Sequence, residues 1–230
     1  MMNSHGSITA ALRTIQQAGQ KIELLNLYKG VPIVYGATVQ KLNVERVVLH
    51  IPTHEIVCLT LERSTILLNH ILEEAVSADV VELDLATGEV TLGNLRYASE
   101  KVGDRMALRV RPRETVEVRL DCGGQTYNGL LADLSINGLG INFSLTNPLT
   151  AQSPIRPRAV VQVGLTLPTG EALRLPGAVR FIRMESGFNR VGVEFAQGEQ
   201  MLTVLRYVHQ RQQEILGELR AAYENRLNFR

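Results

Sequence analysis

Arginines at four-residue spacing precede an Asp-Ser-Gly motif near the middle of this sequence. Arg105 and Arg109 form one RxxxR pattern, and Arg109 and Arg113 form a second. The motif Asp133-x-Ser135-x-x-Gly138 follows, with Asp133 standing 24 residues after Arg109. A guanidinium group offers paired donors that match phosphate oxygens or the O6/N7 edge of guanine. The residues alone fit either a site for phosphate groups or a guanine edge, or a solvated basic linker followed by an ordinary Asp/Ser turn.

Motifs for catalysis or metal binding are missing from the sequence. No GxSxG, HExxH, Walker or GxGxxG pattern occurs. His50 and His54 are four residues apart beside Glu55, but Pro52 and the β-rich surroundings remove the helical face that such a metal site needs. Cys58 and Cys122 have no CxxC partner, so we expect buried thiols. We predict no enzyme activity, no metal site and no cofactor.

Basic residues are distributed unevenly along the chain, whose net charge is +1. Residues 1–99 carry seven Lys and Arg and ten Asp and Glu, whereas residues 100–230 carry 17 and 13. Lys101 is the only lysine of the second half, while the first half uses both basic types. A codon bias would act on both halves alike. The pattern therefore favours a specific use of arginine, whose planar fork lysine cannot replace.

The overall composition speaks against a general nucleic-acid-binding protein. The isoelectric point of about 7.8 is modest for a domain held by phosphate charge. Only 5% of the residues are aromatic and none is Trp, which provides little for stacking single-stranded bases. A nucleic-acid-binding barrel that uses the arginine-rich strip stays as the alternative function.

Length and hydrophobic content predict a folded protein of one large or two small domains. The chain has 230 residues, 45% of them hydrophobic, which is enough apolar surface for a core. No apolar run approaches eighteen residues, so we predict no membrane span. The first 17 residues lack the order of a secretion signal, and we expect a cytoplasmic protein.

The first part of the chain is predicted to form a helix followed by β-structure. Apolar residues at helical spacing predict a helix over residues 7–27, interrupted at Gly19. Residues 32–35, 44–51 and 56–61 are rich in β-branched residues and predict strands. Residues 80–85 and 89–95 predict a hairpin, and residues 64–75 fit either two strands or a short helix. We predict a small β-barrel-like domain over residues 1–98 with a helical lead-in.

The arginine-rich stretch over residues 99–113 is predicted to be a linker, and a second β-domain follows it. Short β-type segments with polar turns recur between residues 115 and 195, as in an antiparallel barrel or sandwich. From residue 199 to about 227 one apolar stripe predicts a long terminal helix. We assign residues 114–230 to this second domain. The helix either packs on the barrel or pairs with another copy, so a homodimer is possible.

At this point the chain resembles the PilZ family, whose domains bind the bacterial second messenger cyclic di-GMP. The family pattern is RxxxR on an N-terminal arm followed by D/N-x-S-x-x-G at a barrel strand. The segment Arg190-Val191-Gly192-Val193-Glu194-Phe195 resembles the family's closing strand before a terminal helix. The resemblance covers about residues 100–215. The layout also resembles the two-domain flagellar-brake type, whose first domain is a split barrel.

The resemblance implies a role for each motif residue. Arg105 and Arg109 clamp cyclic di-GMP from the arm, while Asp133, Ser135 and Gly138 contact it from the barrel. Arg111 and Arg113 are further candidates, since the alternative register pairs Arg109 with Arg113. We favour Arg105 with Arg109, because Val110 leads into the first strand as in the family. Asp104 stands where members that bind two stacked ligands often carry another arginine, so the stoichiometry stays open.

The predicted function is that of a non-enzymatic cyclic di-GMP receptor. Ligand binding would fasten the arm to the barrel and re-orient the first domain toward a protein partner in motility or biofilm-type signalling, such as a flagellar motor component. Two other hypotheses stay open in addition to nucleic-acid binding. Residues 1–98 could form a flavin-binding split barrel, and the second domain could be an interaction module without ligand.

Overall fold

The computed structural model describes residues 4–43, 45–52, 54–98, 108–144, 153–185 and 187–228. Within these ranges the chain forms thirteen β-strands and three α-helices. It divides into two compact units, one of residues 1–106 with 215–230 and one of residues 107–214. The domain boundaries drawn from the sequence, after residues 98 and 113, stay a prediction.

The first unit contains six strands, β1 (Lys21–Tyr28), β2 (Val31–Leu42), β3 (Arg46–His50), β4 (Ser64–Leu68), β5 (Val76–Asp84) and β6 (Glu89–Tyr97). They form a closed antiparallel barrel in the order β1-β2-β3-β6-β5-β4. Alternate side chains of each strand point inward, as Ile22 and Leu24 of β1 and Val47 and Leu49 of β3 do. The helices of this part of the chain are α1 (Ser4–Gln17) and α2 (Val57–Glu62).

A buried polar network lies in this barrel. The Tyr35 hydroxyl and the Thr65 hydroxyl donate to Asn26 Oδ1 at 2.8 and 2.9 Å. The Asn26 amide in turn donates to the Ser64 carbonyl at 2.6 Å. Because buried polar groups cost free energy unless they are hydrogen-bonded, these bonds allow three polar residues in the core.

Two predictions for the first unit were wrong. The opening helix stops at Gln17 instead of continuing to residue 27, because Gly19 takes a left-handed conformation (φ +63°) and residues 21–28 form β1. Residues 56–61 are not a strand, since Val57–Glu62 is helical. The run Val57, Cys58 and Leu59 is buried without alternation, as in a helix turned fully toward the core.

The strands of the second unit are β7 (Arg109–Val110), β8 (Glu117–Cys122), β9 (Gln125–Ser135), β10 (Gly138–Ser144), β11 (Val160–Thr166), β12 (Ala172–Glu185) and β13 (Phe188–Phe195). Six of them form another closed antiparallel barrel in the order β8-β9-β10-β13-β12-β11. A two-residue strand, β7, pairs with the end of β9, where Arg109 lies opposite Ser135.

The terminal helix α3 (Met201–Asn228) confirms the predicted long helix, and it is about 42 Å long at 1.5 Å per residue. Its residues up to Glu214 belong to the second unit, where Val204 and Val208 are buried. Its residues from Ile215 belong to the first unit, where Glu218 pairs with Lys29. The predicted class, a mainly β protein of two barrel-like parts with a long C-terminal helix, is confirmed. None of the described helices is long and apolar enough to cross a membrane.

Candidate functional site

The candidate site is on the outer face of the second barrel, where β9, β10 and β13 run side by side. Asp133 of β9 lies opposite Gly140 of β10, and Gly140 lies opposite Gly192 of β13. Because Leu139 and Ile141 fill the core, alternation along β10 turns Gly140 outward. The sheet therefore presents the Asp133 carboxylate beside two residues without side chains.

Arg109 reaches this carboxylate from β7. The backbone pairing of Arg109 with Ser135 and of Val110 with Leu134 sets the position of β7 on the edge of β9. Val110 is fully buried, which anchors the short strand, and Arg109 Nη1 lies 3.3 Å from Asp133 Oδ1. Arg109, the arginine that both RxxxR registers share, is thus in contact with the first residue of the second motif.

A second arginine, Arg190 of β13, approaches the same carboxylate from the opposite side. Its Nη2 donates to Asp133 Oδ2, and its Nη1 lies 3.4 Å from Oδ1 of Asn142, its cross-strand neighbour on β10. Each oxygen of Asp133 therefore has one guanidinium partner. We call Arg109, Asp133, Gly140, Asn142 and Arg190 the Asp133 cluster.

Gly140 gives Arg190 its path to Asp133, because β10 lies between the strands that carry them. A Cβ on Gly140 would stand 2.9 Å from Arg190 Nη2 and 3.3 Å from Asp133 Oδ1. Any side chain at this position would therefore displace the guanidinium. Gly140 has an ordinary strand conformation, so its backbone does not require a glycine. A glycine is required because the Arg190 side chain crosses over this position.

Ser135 and Gly138 shape the turn between β9 and β10. The buried Ser135 hydroxyl donates to the Gly138 carbonyl at 3.0 Å. A Cβ on Gly138 would lie 2.1 Å from the Val193 carbonyl oxygen, so only glycine lets β10 pair this closely with β13. Both residues hold the strand ends in place, and Asp133 lies two residues before this turn.

Arg105 lies outside the described residues, so the choice between the two RxxxR registers stays a prediction. Arg111 and Arg113 are not part of the Asp133 cluster. Both are exposed in the segment that follows β7. The Arg111 carbonyl accepts a hydrogen bond from Arg211 Nε at 3.0 Å.

The charges of the Asp133 cluster suit a ligand that carries both phosphate groups and N–H donors. Two guanidinium groups share one carboxylate, which leaves an excess of one positive charge. The side chains of Arg109 and Arg190 are 40% and 24% exposed, whereas that of Asp133 is 13% exposed. The arginine donors can therefore turn to a phosphate or a guanine edge from solvent. Asp133 keeps lone pairs that can accept from N–H groups.

No arrangement typical of a metal centre is found in the part of the chain that the structure describes. No group of three or more His, Cys, Asp or Glu side chains there could hold a metal ion. Cys58 and Cys122 are both buried, as expected from the sequence, and burial raises the pKa of the Cys122 thiol.

Arg190, Asn142 and Gly140 were missed as site residues. The alternation of Arg190 and Gly192 on one face of a predicted strand was available from the sequence. Their proximity to Asp133 depends on register, and the β9–β10 pairing shifts register at an irregularity between Gly140 and Ile141. A shift of one residue moves a side chain to the other face of the sheet. Strand patterns alone could not place these residues beside Asp133.

Comparison with known proteins gives a match for the second half of the chain. Residues 104–210 match the family described as the PilZ domain. This stretch contains every member of the Asp133 cluster. No curated protein matches the sequence.

Three solved structures of comparable length are among those similar to this chain. YcgR from Escherichia coli, in complex with c-di-GMP, is 14% identical, with 99% of this chain and 96% of that chain covered and a TM-score of 0.43. The Bacillus subtilis inhibitor of motility (MotI/DgrA) is 10% identical, with 85% and 97% covered and a TM-score of 0.45. MrkH from K. pneumonia, as a c-di-GMP complex, is 14% identical, with 98% of each chain covered and a TM-score of 0.41. These likenesses are too distant to assign a shared ligand or partner.

Proposed function

We propose that this protein, in which residues 104–210 match the PilZ domain family, is a receptor for cyclic di-GMP. The observation that carries the proposal is the convergence of Arg109 and Arg190 on Asp133, two arginines that approach one carboxylate from opposite sides on an outer barrel face. Cyclic di-GMP has two phosphates and two guanines. A receptor for it needs cationic forks and a carboxylate acceptor at the same place.

The charged members of the Asp133 cluster and the motif residues near it have proposed roles in binding. Arg109 and Arg190 release part of their contact with Asp133 and donate to a phosphate or to guanine O6 and N7. Asp133 accepts from the N1–H and N2–H₂ groups of guanine, which only an acceptor can recognise. Arg105, by the RxxxR pattern, adds a second clamp from the arm. Ser135 and Gly138 hold the β9–β10 turn so that Asp133 keeps its orientation.

Binding is proposed to act on a protein partner through a change in the relation of the two units. The ligand contacts the barrel and the arm that precedes it, so it favours the arrangement in which both contacts are made. A ligand shifts such an equilibrium only by its difference in affinity for the two arrangements. The layout resembles the flagellar-brake type, which favours a partner in motility control.

Calorimetric titration with cyclic di-GMP tests the binding proposal. We expect the unmodified protein to bind, and we expect Arg109→Ala and Asp133→Ala to lose affinity by at least about 30-fold, the effect of removing one member of a hydrogen-bonded charge pair. Arg119→Ala is the matched control, because Arg119 also pairs with an aspartate, Asp121 at 2.9 Å, on a different strand of the same barrel. Unchanged binding by both variants would refute the site, and absence of binding by the unmodified protein would refute the function.

Small-angle X-ray scattering tests the proposed re-orientation separately. The radius of gyration and the distance distribution should change when the protein is saturated with cyclic di-GMP. Superimposable profiles with and without saturating ligand would contradict re-orientation while leaving the binding proposal intact.

A further inference from the structure

Arg211 of α3 is almost completely buried, which is rare for an arginine. Its side chain is 3% exposed. Arg211 Nε donates to the carbonyl oxygen of Arg111 at 3.0 Å, and Nη1 lies 3.0 Å from Glu214 Oε2, one turn further along the helix. A buried guanidinium must be paired to be tolerated. One of its partners here is the backbone of the segment that carries the arginine pattern.

That segment is the arm, which runs from the arginine pattern to β8 and of which the structure describes residues 108–116. The arm joins the barrel through the two residues of β7 and, at its other end, through a bond from the Leu131 N–H to the Val116 carbonyl at 2.9 Å. Between these points the Arg111 carbonyl is bound to the helix by Arg211. Arg111 is two residues from Arg109, so this bond lies next to the residue that reaches Asp133.

Arg211 follows two other buried residues of α3. Val208 and Tyr207 are 2% and 6% exposed, and the Tyr207 hydroxyl has no hydrogen-bond partner among the described residues. Burial raises the pKa of Tyr207, and the charge of Arg211 opposes that rise. Removal of Arg211 would take away the donor that binds the Arg111 carbonyl to α3, and a water molecule in its place would not tie this segment to the helix.

We propose that Arg211 is a positioning residue of the ligand site, which holds the arm so that the Arg109 guanidinium faces Asp133. Arg211 acts through the backbone at Arg111 and not by contact with the ligand. The effect on cyclic di-GMP affinity rests on the proposed function, whereas the effect on the arm does not.

Hydrogen exchange of the ligand-free protein tests the effect on the arm. Arg211→Met keeps the volume and apolar stem of the side chain and removes its donors. Exchange of the arm and of its β9 partners should become faster by at least about tenfold, while exchange in β11 and β12 stays within about twofold. The matched control is Arg206→Met, the same substitution at an exposed position of the same helix, and it should change neither. Equal acceleration throughout the unit, or none in the arm, would overturn the proposal.

A double-mutant cycle tests the effect on binding. Arg211→Met should weaken cyclic di-GMP binding by at least about tenfold in the unmodified protein, and by less than about threefold when Arg109 is already alanine. Arg211→Lys, which keeps the charge and a donor, should recover part of the loss. Equal losses in both backgrounds would show that Arg211 does not act through Arg109 and would overturn the proposal. If the unmodified protein fails to bind cyclic di-GMP, the proposed function fails, and the exchange experiment still decides the role of Arg211 in holding the arm.

Discussion

At the scale of single residues, Gly140 determines whether Arg190 can reach Asp133. The atoms that a Cβ would approach, Arg190 Nη2 at 2.9 Å and Asp133 Oδ1 at 3.3 Å, are the ends of side chains. These ends can move without a shift of the backbone. We predict that Gly140→Ala folds with nearly unchanged thermal stability and weakens cyclic di-GMP binding at least about tenfold, or about 1.4 kcal/mol.

Gly138→Ala is the contrasting variant for this prediction. Its Cβ would meet the Val193 carbonyl oxygen at 2.1 Å and Glu194 Cα at 3.1 Å, and both are backbone atoms. Overpacking of this kind costs about 1–3 kcal/mol or more, so this variant should be clearly destabilised in urea unfolding. If the two variants lost equal stability, or if Gly140→Ala bound the ligand normally, the proposed path of Arg190 would be contradicted.

The motif residues of the site could be found from the sequence, but their neighbours could not. Arg109 and Asp133 are in contact because β7 and β9 pair directly, and their chain spacing marked both beforehand. Arg190 is 57 residues from Asp133 in the chain and meets it through a side-chain crossing over Gly140. That crossing depends on the register of β9, β10 and β13, which alternation of residue types does not determine.

At the scale of elements, glycines with positive φ end or connect several of them. Gly88 joins β5 to β6 with φ +72°, and its Cβ would lie 2.6 Å from the Ile51 carbonyl oxygen. Gly19 ends α1 with φ +63° and has open space around its Cα. The two positions share a backbone conformation and differ in crowding.

This difference predicts unequal costs for the same substitution. Gly19→Ala should lower the free energy of unfolding by about 1–2 kcal/mol, the cost of a left-handed alanine. Gly88→Ala should cost clearly more, because the backbone at Ile51 must also move. Chemical unfolding of the two variants, followed by circular dichroism, measures both. Equal losses would contradict the close approach at Gly88.

The elements that sequence patterns predicted well are those with a continuous signal. The hairpin of β5 and β6 has clean alternation and a glycine turn, and α3 has one apolar stripe without proline. The predictions were wrong where the same spacing of apolar residues fits both a helix and a strand. Ile22 and Leu25 fit the helical spacing of α1, although β1 contains them, and the apolar run at residues 56–59 fits a strand or a buried helix equally well. In both cases the type of element depends on burial against the rest of the barrel, and a local sequence pattern does not show that burial.

At the scale of the whole molecule, buried ionisable groups predict a loss of stability in alkali. Burial raises the pKa of Tyr207 and of Cys122 above their ordinary values. The unfolded chain therefore releases these protons at lower pH than the folded chain does. Their stabilising effect is complete below the unfolded pKa values, about 8.5 for cysteine and 10 for tyrosine, and is lost as pH rises through the folded ones.

Unfolding experiments between pH 7 and pH 11 measure this loss. The free energy of unfolding should fall above about pH 9, and Tyr207→Phe should fall less steeply above pH 10 because it has no phenol to ionise. Since the Tyr207 hydroxyl has no partner among the described residues, the same variant should be at least as stable at pH 7. A pH profile of Tyr207→Phe that ran parallel to that of the unmodified protein would contradict the buried phenol.

The overall charge favours recognition of one small dianion over binding of long polyanions. The net charge is only +1, although the second half of the chain is rich in arginine. Within that half, the guanidinium groups of Arg109 and Arg190 both pair with the Asp133 carboxylate. A protein that held nucleic acid by charge would need a broad basic surface, and its binding would depend steeply on salt. The Asp133 cluster is instead compact, with one carboxylate suited to reading a base.

The most direct test of this account is a calorimetric comparison of cyclic di-GMP with cyclic di-AMP on the unmodified protein. Both ligands carry the same phosphate ring, but adenine lacks the N1–H and N2–H₂ donors that Asp133 is proposed to accept. We predict saturable binding of cyclic di-GMP and at least about 100-fold weaker binding of cyclic di-AMP, since a site built for a hydrogen bond rejects an analogue that leaves it unpaired. Equal affinity for the two, or no binding of cyclic di-GMP, would contradict the account.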